Sequence, residues 1–130
     1  MKKLTFTTNK KEQIIDITKE VEEIISHENI TEGICVLYCP HTTAGITINE
    51  SADPDVKSDV LKSFKDIVKE LNFDHVEGNS SSHVKTIMTG KSQTLIIDNG
   101  KLVLGTWDAI YFCEYDGPRT RNIYVKIIQG

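Results

Sequence analysis

Three histidines stand where their type and setting suit chemistry. His41 follows an apolar run in Cys39-Pro40-His41-Thr42-Thr43-Ala44-Gly45, and His75 and His83 bracket the polar stretch 74–83. Neutral imidazole binds divalent metal ions and moves protons near neutral pH. Histidine, threonine, serine, asparagine and glycine at strand ends are the residues from which loop-built sites are made. Spacing by itself marks no metal site, because neither His-Glu-x-x-His nor paired Cys-x-x-Cys occurs. For each histidine taken alone, an ordinary structural hydrogen bond is the competing reading.

A second cluster is Glu114-Tyr115-Asp116-Gly117-Pro118-Arg119-Thr120-Arg121. Asp-Gly-Pro is a turn signal, and the two arginines beyond it carry planar forks suited to phosphate or carboxylate. Arg119 is the candidate anchor, with a solvated surface arginine as the alternative. Lys85, on a short helix after Ser80-Ser81-Ser82, adds charge beside hydroxyls and free amides that favour an anion. No Walker-type or Gly-x-Gly-x-x-Gly loop is present, so an ordinary nucleotide site is not signalled. The only tryptophan lies in Gly105-Thr106-Trp107-Asp108. It reads either as core packing or as a wall beside a glycine that admits a ligand to the backbone.

The elements that must position these groups follow from periodicity. Leu4, Phe6 and Thr8 alternate as a half-exposed strand, and a second β-prone stretch covers about Gln13 to Ile17. Ile17, Val21, Ile24 and Ile25 have helical spacing to about His27, with Thr18 placed to cap. Gly33 to Cys39 is apolar on both faces and reads as a central strand, followed by a strand at about Gly45 to Asn49. A helix starts at Asp53-Pro54, with an apolar stripe of Val56, Val60, Phe64, Ile67, Val68 and Leu71. Residues 72–82 read as a loop, and a short helix from about Ser82 to Thr89 ends at Gly90. Leu95 to Ile97, the turn Asp98-Asn99-Gly100 and Leu102 to Leu104 form a hairpin. Trp107 to Tyr115 alternates, and Ile123, Val125 and Ile127 share one face of a last strand. The class is α+β: a single domain over residues 1–130, with a mostly antiparallel sheet system and two main helices.

Composition narrows the function. With 38% hydrophobic and 26% charged residues, the chain matches a soluble globular domain. No run of 18 apolar residues suits a membrane span. The start, Met1-Lys2-Lys3-Leu4-Thr5-Phe6, has no apolar stretch behind its lysines, so the expected location is cytoplasmic. A net charge of −4 lacks the basic footprint of a nucleic-acid binder. Three cysteines, an odd number, argue against a disulfide framework. Cys35 and Cys39 would lie about 13 Å apart along a strand, and the thiols read as buried and inert.

Longer motifs carry a resemblance. His41-Thr42-Thr43-Ala44-Gly45-Ile46-Thr47-Ile48-Asn49-Glu50, followed by Ala52-Asp53-Pro54, closely resembles the central signature of the secondary thiamine-phosphate synthase family, the YjbQ-type family long catalogued as uncharacterised. The likeness continues through His75-Val76-Glu77-Gly78-Asn79 and Ser82-His83-Val84-Lys85. It ends with Gly105-Thr106-Trp107 and Phe112-Cys113-Glu114-Tyr115-Asp116-Gly117-Pro118-Arg119, so that it covers essentially the whole chain. One departure is Asp108, where the family usually has glutamine.

The resemblance implies a compact α+β fold, a homotrimer and a weak transferase activity. In that reaction hydroxymethylpyrimidine diphosphate loses diphosphate, and the nitrogen of a thiazole phosphate attacks the exposed carbon. Such chemistry asks for positive charge on the leaving diphosphate, normally shared with Mg²⁺, and for a pocket that stabilises a cationic pyrimidine. On this reading Arg119 and Lys85 hold phosphate, while Trp107 and Glu114 face the cation. Thr42 and Asn49 of the signature also touch substrate, and His41, His83 and Glu114 form the catalytic set. His41, His75 and His83 are implied as a three-imidazole site for zinc or magnesium with an open position. Two other functions fit the same residues: a metal-assisted phosphate-ester hydrolase, or a non-catalytic metabolite- or metal-binding protein.

Overall fold

Alternating side chains sort the strands into two antiparallel sheets, seen in a computed structural model that describes all 130 residues. The order is β1 (Lys2–Thr7), β2 (Gln13–Asp16), α1 (Thr18–Ser26), β3 (Gly33–Tyr38), β4 (Ala44–Glu50), α2 (Asp55–Ile67), α3 (Ser80–Thr89), β5 (Ser92–Asp98), β6 (Lys101–Leu102), β7 (Asp108–Glu114) and β8 (Thr120–Gln129). Five strands run β1-β8-β3-β5-β6, with β3 in the centre as its two apolar faces imply, and three run β2-β7-β4.

The core lies between the sheets. Cys35, Leu37, Leu95, Ile97, Ile123 and Val125 of the larger sheet meet Ala44, Ile46, Ile110 and Phe112 of the smaller, and Val21 and Ile25 of α1 join them. Each large side chain buried this way contributes roughly 1.5–3 kcal/mol. On the far side of the smaller sheet, Tyr111, Cys113 and Tyr115 lie under Leu61 and Phe64 of α2. There α3 packs along β4. All three cysteines are free and buried. Burial pushes the Cys35 thiol up to about 11 and the Cys113 thiol to about 12, so both are protonated and inert at neutral pH.

No helix covers the outer face of the larger sheet. Ile34 sits in register with Ile96 on one side and Ile128 on the other, and all three are exposed. No helix of the chain is long and apolar enough to cross a membrane.

Three local expectations are revised. Thr18 does not cap α1. Asp16 Oδ1 accepts its N–H at 2.9 Å and its hydroxyl proton at 2.6 Å, and the Thr18 hydroxyl oxygen accepts the Ile110 amide at 2.8 Å. Helix α2 stops at Ile67 rather than near Leu71, because Val68 turns extended (φ −97°, ψ 97°). Val68 is buried by that turn, whereas Leu71 stays 68% exposed. Helix α3 begins at Ser80, two residues earlier than the pattern implies, and Gly90 closes it at φ +93°. The hairpin turn holds: Asn99 and Gly100 both take positive φ between β5 and β6.

Candidate functional site

At one end of the sandwich a cleft of about 800 Å³ collects four segments. His41, Thr42 and Thr43 come from the β3–β4 connection, and His75, Glu77 and Asn79 from the stretch before α3. His83 comes from the first turns of α3, and Arg119, Thr120 and Arg121 from the corner into β8. Apart from Pro40 and Pro118, no other residue lines it.

His41 occupies the space where β3 would have continued. The last β3–β8 pair is Tyr38 with Tyr124, so the Asn122 amide lies beyond the end of its neighbour strand. That N–H donates to His41 Nε2 at 2.9 Å. A ring that accepts at Nε2 carries its proton on Nδ1. Burial first, and then the nearby Arg121 charge, hold the imidazole below its ordinary pKa. His41 is therefore neutral at neutral pH and offers an N–H.

His83 has the same Nδ1–H tautomer but leaves the other nitrogen free. Its Nδ1 lies 3.0 Å from the Thr42 carbonyl, which can only accept, so Nδ1 holds the proton and Nε2 keeps its lone pair. His75 packs edge-on against it, with ring centroids 5.5 Å apart and planes at 73°. His75 Nε2 lies 3.7 Å from Glu77 Oε1.

A buried ion pair lies behind these rings. Glu114 is fully buried and Arg121 is 3% exposed. Arg121 Nε donates to Glu114 Oε1 at 2.7 Å, and Nη2 donates to Glu114 Oε2 and to Thr43 Oγ1. The Thr8 hydroxyl adds a bond to Oε1 at 2.7 Å, and the Asp116 amide one to Oε2 at 3.0 Å. Burial alone would raise the Glu114 pKa, but Arg121, Thr8 and the Asp116 amide outweigh it and hold the carboxyl below its usual range. The bonds of Arg121 all run through Nε and Nη2, which leaves Nη1 for the cleft it lines.

Arg119 is more open. Its Nε donates to the Asp116 carbonyl at 2.7 Å and its Nη2 to Asp116 Oδ2 at 3.0 Å. Asn79 Nδ2 donates to the same Oδ2 at 2.9 Å. The corner is tight, because a Cβ on Gly117 would overlap the Lys10 carbonyl and stand 2.8 Å from Thr8 Oγ1.

The cleft thus unites His41, Thr42, His75, His83 and Arg119. Other expected site residues lie elsewhere. Glu114 cannot touch a substrate, since both its oxygens are spent inside the protein; it positions Arg121. Lys85 is buried, with Nζ 2.5 Å from Glu12 Oε2, in a different groove beside Ser81 and Ser82. Asn49 borders a 250 Å³ cavity under α2, and its Oδ1 accepts the Glu50 amide at 2.7 Å. Trp107 is 61% exposed just before β7, at the end of that strand opposite Glu114. Beside it Asp108 Oδ2 accepts the Gly105 N–H at 2.8 Å, a turn contact that needs no ligand.

The three-imidazole metal site is not assembled. No three His, Cys, Asp or Glu side chains stand together as a metal-holding group. The physical reason is plain at His41, where Nε2 is committed to Asn122 and Nδ1 carries the proton. Coordination at about 2.0–2.1 Å needs a free ring lone pair.

Sequence reasoning put Arg119 ahead of Arg121 and did not single out Thr43, Glu77 or Asn79 as site residues. One signal was available for Arg121: it shares the inward register of β8 with Ile123 and Val125, and a charge in that row demands a buried partner.

Comparison with known proteins gives one answer. A family model described as "UPF0047 protein YjbQ-like" matches residues 2–130. The UPF0047 protein YugU of Bacillus subtilis is 52% identical over 130 residues, covering 98% of each chain. A UPF0047 protein of Methanocaldococcus jannaschii is also 52% identical, covering 97% of this chain and 92% of its own. Among solved structures, a YjbQ/UPF0047 protein from Clostridium acetobutylicum superposes with a TM-score of 0.95 at 48% identity, covering 98% of this chain and all of the other. A protein from Sulfolobus solfataricus gives 0.95 at 31% identity, covering 99% and 96%.

Proposed function

The chain belongs to the YjbQ-like UPF0047 family, and from that premise we propose that it is an enzyme acting on phosphorylated small molecules in the His41–His83–Arg121 cleft. The observation that carries this reading is that the two imidazoles, tied down through opposite nitrogens, leave an N–H free on His41 and an unprotonated nitrogen free on neutral His83. His41 Nδ1–H offers a hydrogen bond to an oxyanion, as a neutral imidazole can. His83 Nε2 offers a lone pair to a proton. Arg121 Nη1 and Arg119 add donors of the kind that hold phosphoryl oxygens. With one donor ring and one acceptor ring beside two guanidiniums, the cleft suits departure of a phosphate or diphosphate.

The thiamine-phosphate synthase type of coupling is one reaction such a cleft serves. The bond between the pyrimidine methylene carbon and its diphosphate oxygen breaks, with the electron pair leaving on diphosphate. The thiazole nitrogen supplies the pair for the new carbon–nitrogen bond. His41, Arg119 and Arg121 would bind the departing oxygens, and any magnesium enters on the diphosphate as part of the substrate. Hydrolysis is the second reading, favoured by the free His83 Nε2, which suits deprotonation of a water.

Incubating the protein with hydroxymethylpyrimidine diphosphate and thiazole phosphate tests the proposal. Thiamine phosphate or free phosphate should form, the free phosphate at least tenfold slower with His83→Ala. Coupled product separates the transferase from the hydrolase. Equal hydrolysis by wild type and His83→Ala would refute the hydrolase reading, and no product of either kind would refute both.

We further propose a homotrimer working in the cytoplasm, where buried free thiols remain reduced. One apolar face lies on the larger sheet, at Ile34, Ile96 and Ile128, and another on α3, at Val84, Ile87 and Met88. They belong to opposite layers and differ in shape. Copies joined through unlike faces pack head to tail, and a rotation of one third of a turn between neighbours would close them into a ring of three.

A further inference from the structure

The walls of the cleft carry a second chemical message. An anion needs donors only, yet acceptors share the site: Glu77, with its carboxylate, and His83, whose Nδ1 is tied to Thr42 and whose Nε2 is left over, both line the cleft. Asn79 belongs to the same wall. Its amide orientation is settled by the Asp116 carboxylate, which must receive Nδ2, and its Oδ1 is buried without any donor. A phosphoryl group cannot satisfy the two acceptors open to the cleft, Glu77 and His83, and Glu77 repels it. Hydroxyl groups satisfy them.

The lining also lacks what a flat ring needs. No aliphatic or aromatic side chain borders the cleft beyond the imidazoles and two prolines. One face of the His83–His75 pair is spent on their mutual edge-to-face packing. Small-molecule sites that hold rings are lined mainly by apolar side chains. At about 800 Å³ the cleft has room well beyond a phosphate group.

We infer that the natural ligand is a hydroxylated, non-aromatic phosphoester, its phosphate on Arg119, Arg121 and His41 and its hydroxyls on His83 and Glu77. The inference rests on the phosphoryl-binding reading above and names the substrate class of that same site.

Calorimetric titration with four probes tests it: inorganic phosphate, propyl phosphate, phenyl phosphate and ribose 5-phosphate. At pH 8 the phosphates are fully ionised, given a second pKa near 6, so only the sugar brings hydroxyl donors. Ribose 5-phosphate should bind at least tenfold tighter than propyl or phenyl phosphate. Glu77→Ala, in an exposed stretch, should reduce that preference at least threefold while inorganic phosphate binds as well or better. A merely structural Glu77 would weaken all four probes together. Phenyl phosphate binding as tightly as ribose 5-phosphate overturns the substrate class and leaves phosphoryl binding standing. No binding of any probe overturns both.

Discussion

The backbone N–H of Asn122 ends on His41 Nε2, 2.9 Å away, in place of a strand carbonyl. One imidazole thus completes a sheet and faces a cleft. Its removal leaves a half-buried amide without an acceptor, a loss on the order of 1–3 kcal/mol. His41→Ala should therefore lower both urea resistance and phosphate affinity. Nitrogen NMR should find the His41 proton on Nδ1 at pH 7; a proton on Nε2 would contradict the bond.

Glu114 gives a contrasting case. Glu114→Ala leaves the Arg121 charge buried and unpaired, which costs about 3–5 kcal/mol. Glu114→Gln keeps the shape and part of the bonding, and should cost less. Full stability in Glu114→Ala, with ligand binding abolished, would return Glu114 to a direct role at the substrate.

Stability should form a plateau bounded on both sides by titration. His41 is held below its ordinary 6.5 in the fold, so below that pH the unfolded chain takes a proton that the native state refuses. Stability falls there as pH falls. Glu114 and Asp116 are also held below their ordinary 4.5 and 3.8, and they extend the loss into acid. Cys35 and Cys113 are raised from 9.0 to about 11 and 12, so above pH 9 the unfolded thiols ionise first and stability falls again. Urea midpoints at pH 5, 7.5 and 10 check this; a midpoint higher at pH 5 than at 7.5 would contradict the acid limb.

Arg119→Lys keeps the charge and loses the fork. Inorganic phosphate should bind more weakly by about 1–3 kcal/mol, the scale of a charge-assisted hydrogen bond. Thermal unfolding should barely move, because Arg119 is the exposed member of its pair with Asp116, a lysine keeps the charge, and ion pairs at the surface contribute about 0–1 kcal/mol. An unchanged dissociation constant makes Arg119 a surface residue.

The bare sheet face gives a simple mass measurement. Wild-type protein at micromolar concentration should scatter light as three chains, and Ile96→Lys as one. A wild-type monomer rules out the ring.

Much of this architecture was readable from period and punctuation. Alternation located β3, β7 and β8, and Asp98-Asn99-Gly100 located a hairpin, because those signals are local. Helix α2 misled at its end, since an apolar stripe persists to Leu71 while the backbone leaves the helix at Val68. The site was half legible. His41, His75, His83 and Arg119 stand in loops and turns where a composition rich in polar residues is itself the signal. Lys85 and Glu114 were misplaced because sequence says nothing about which charge meets which: Glu12 lies 73 residues from Lys85. Tautomers were out of reach altogether, being decided by the Asn122 amide and the Thr42 carbonyl.

Thr8 has a consequence for how the protein is made. Its hydroxyl holds Glu114, 106 residues onward, and in turn accepts the Arg119 amide, 111 residues onward. Strand β1 pairs only with β8. A nascent chain can therefore have all three helices synthesised and still hold no usable pocket. Closure waits for β8 to emerge and pair with β1, a strand synthesised long before it, a long-range step of the kind that folds slowly. Until then β1 has no partner and the binding corner does not exist, so a chain released before β8 is complete carries the histidines but not the site.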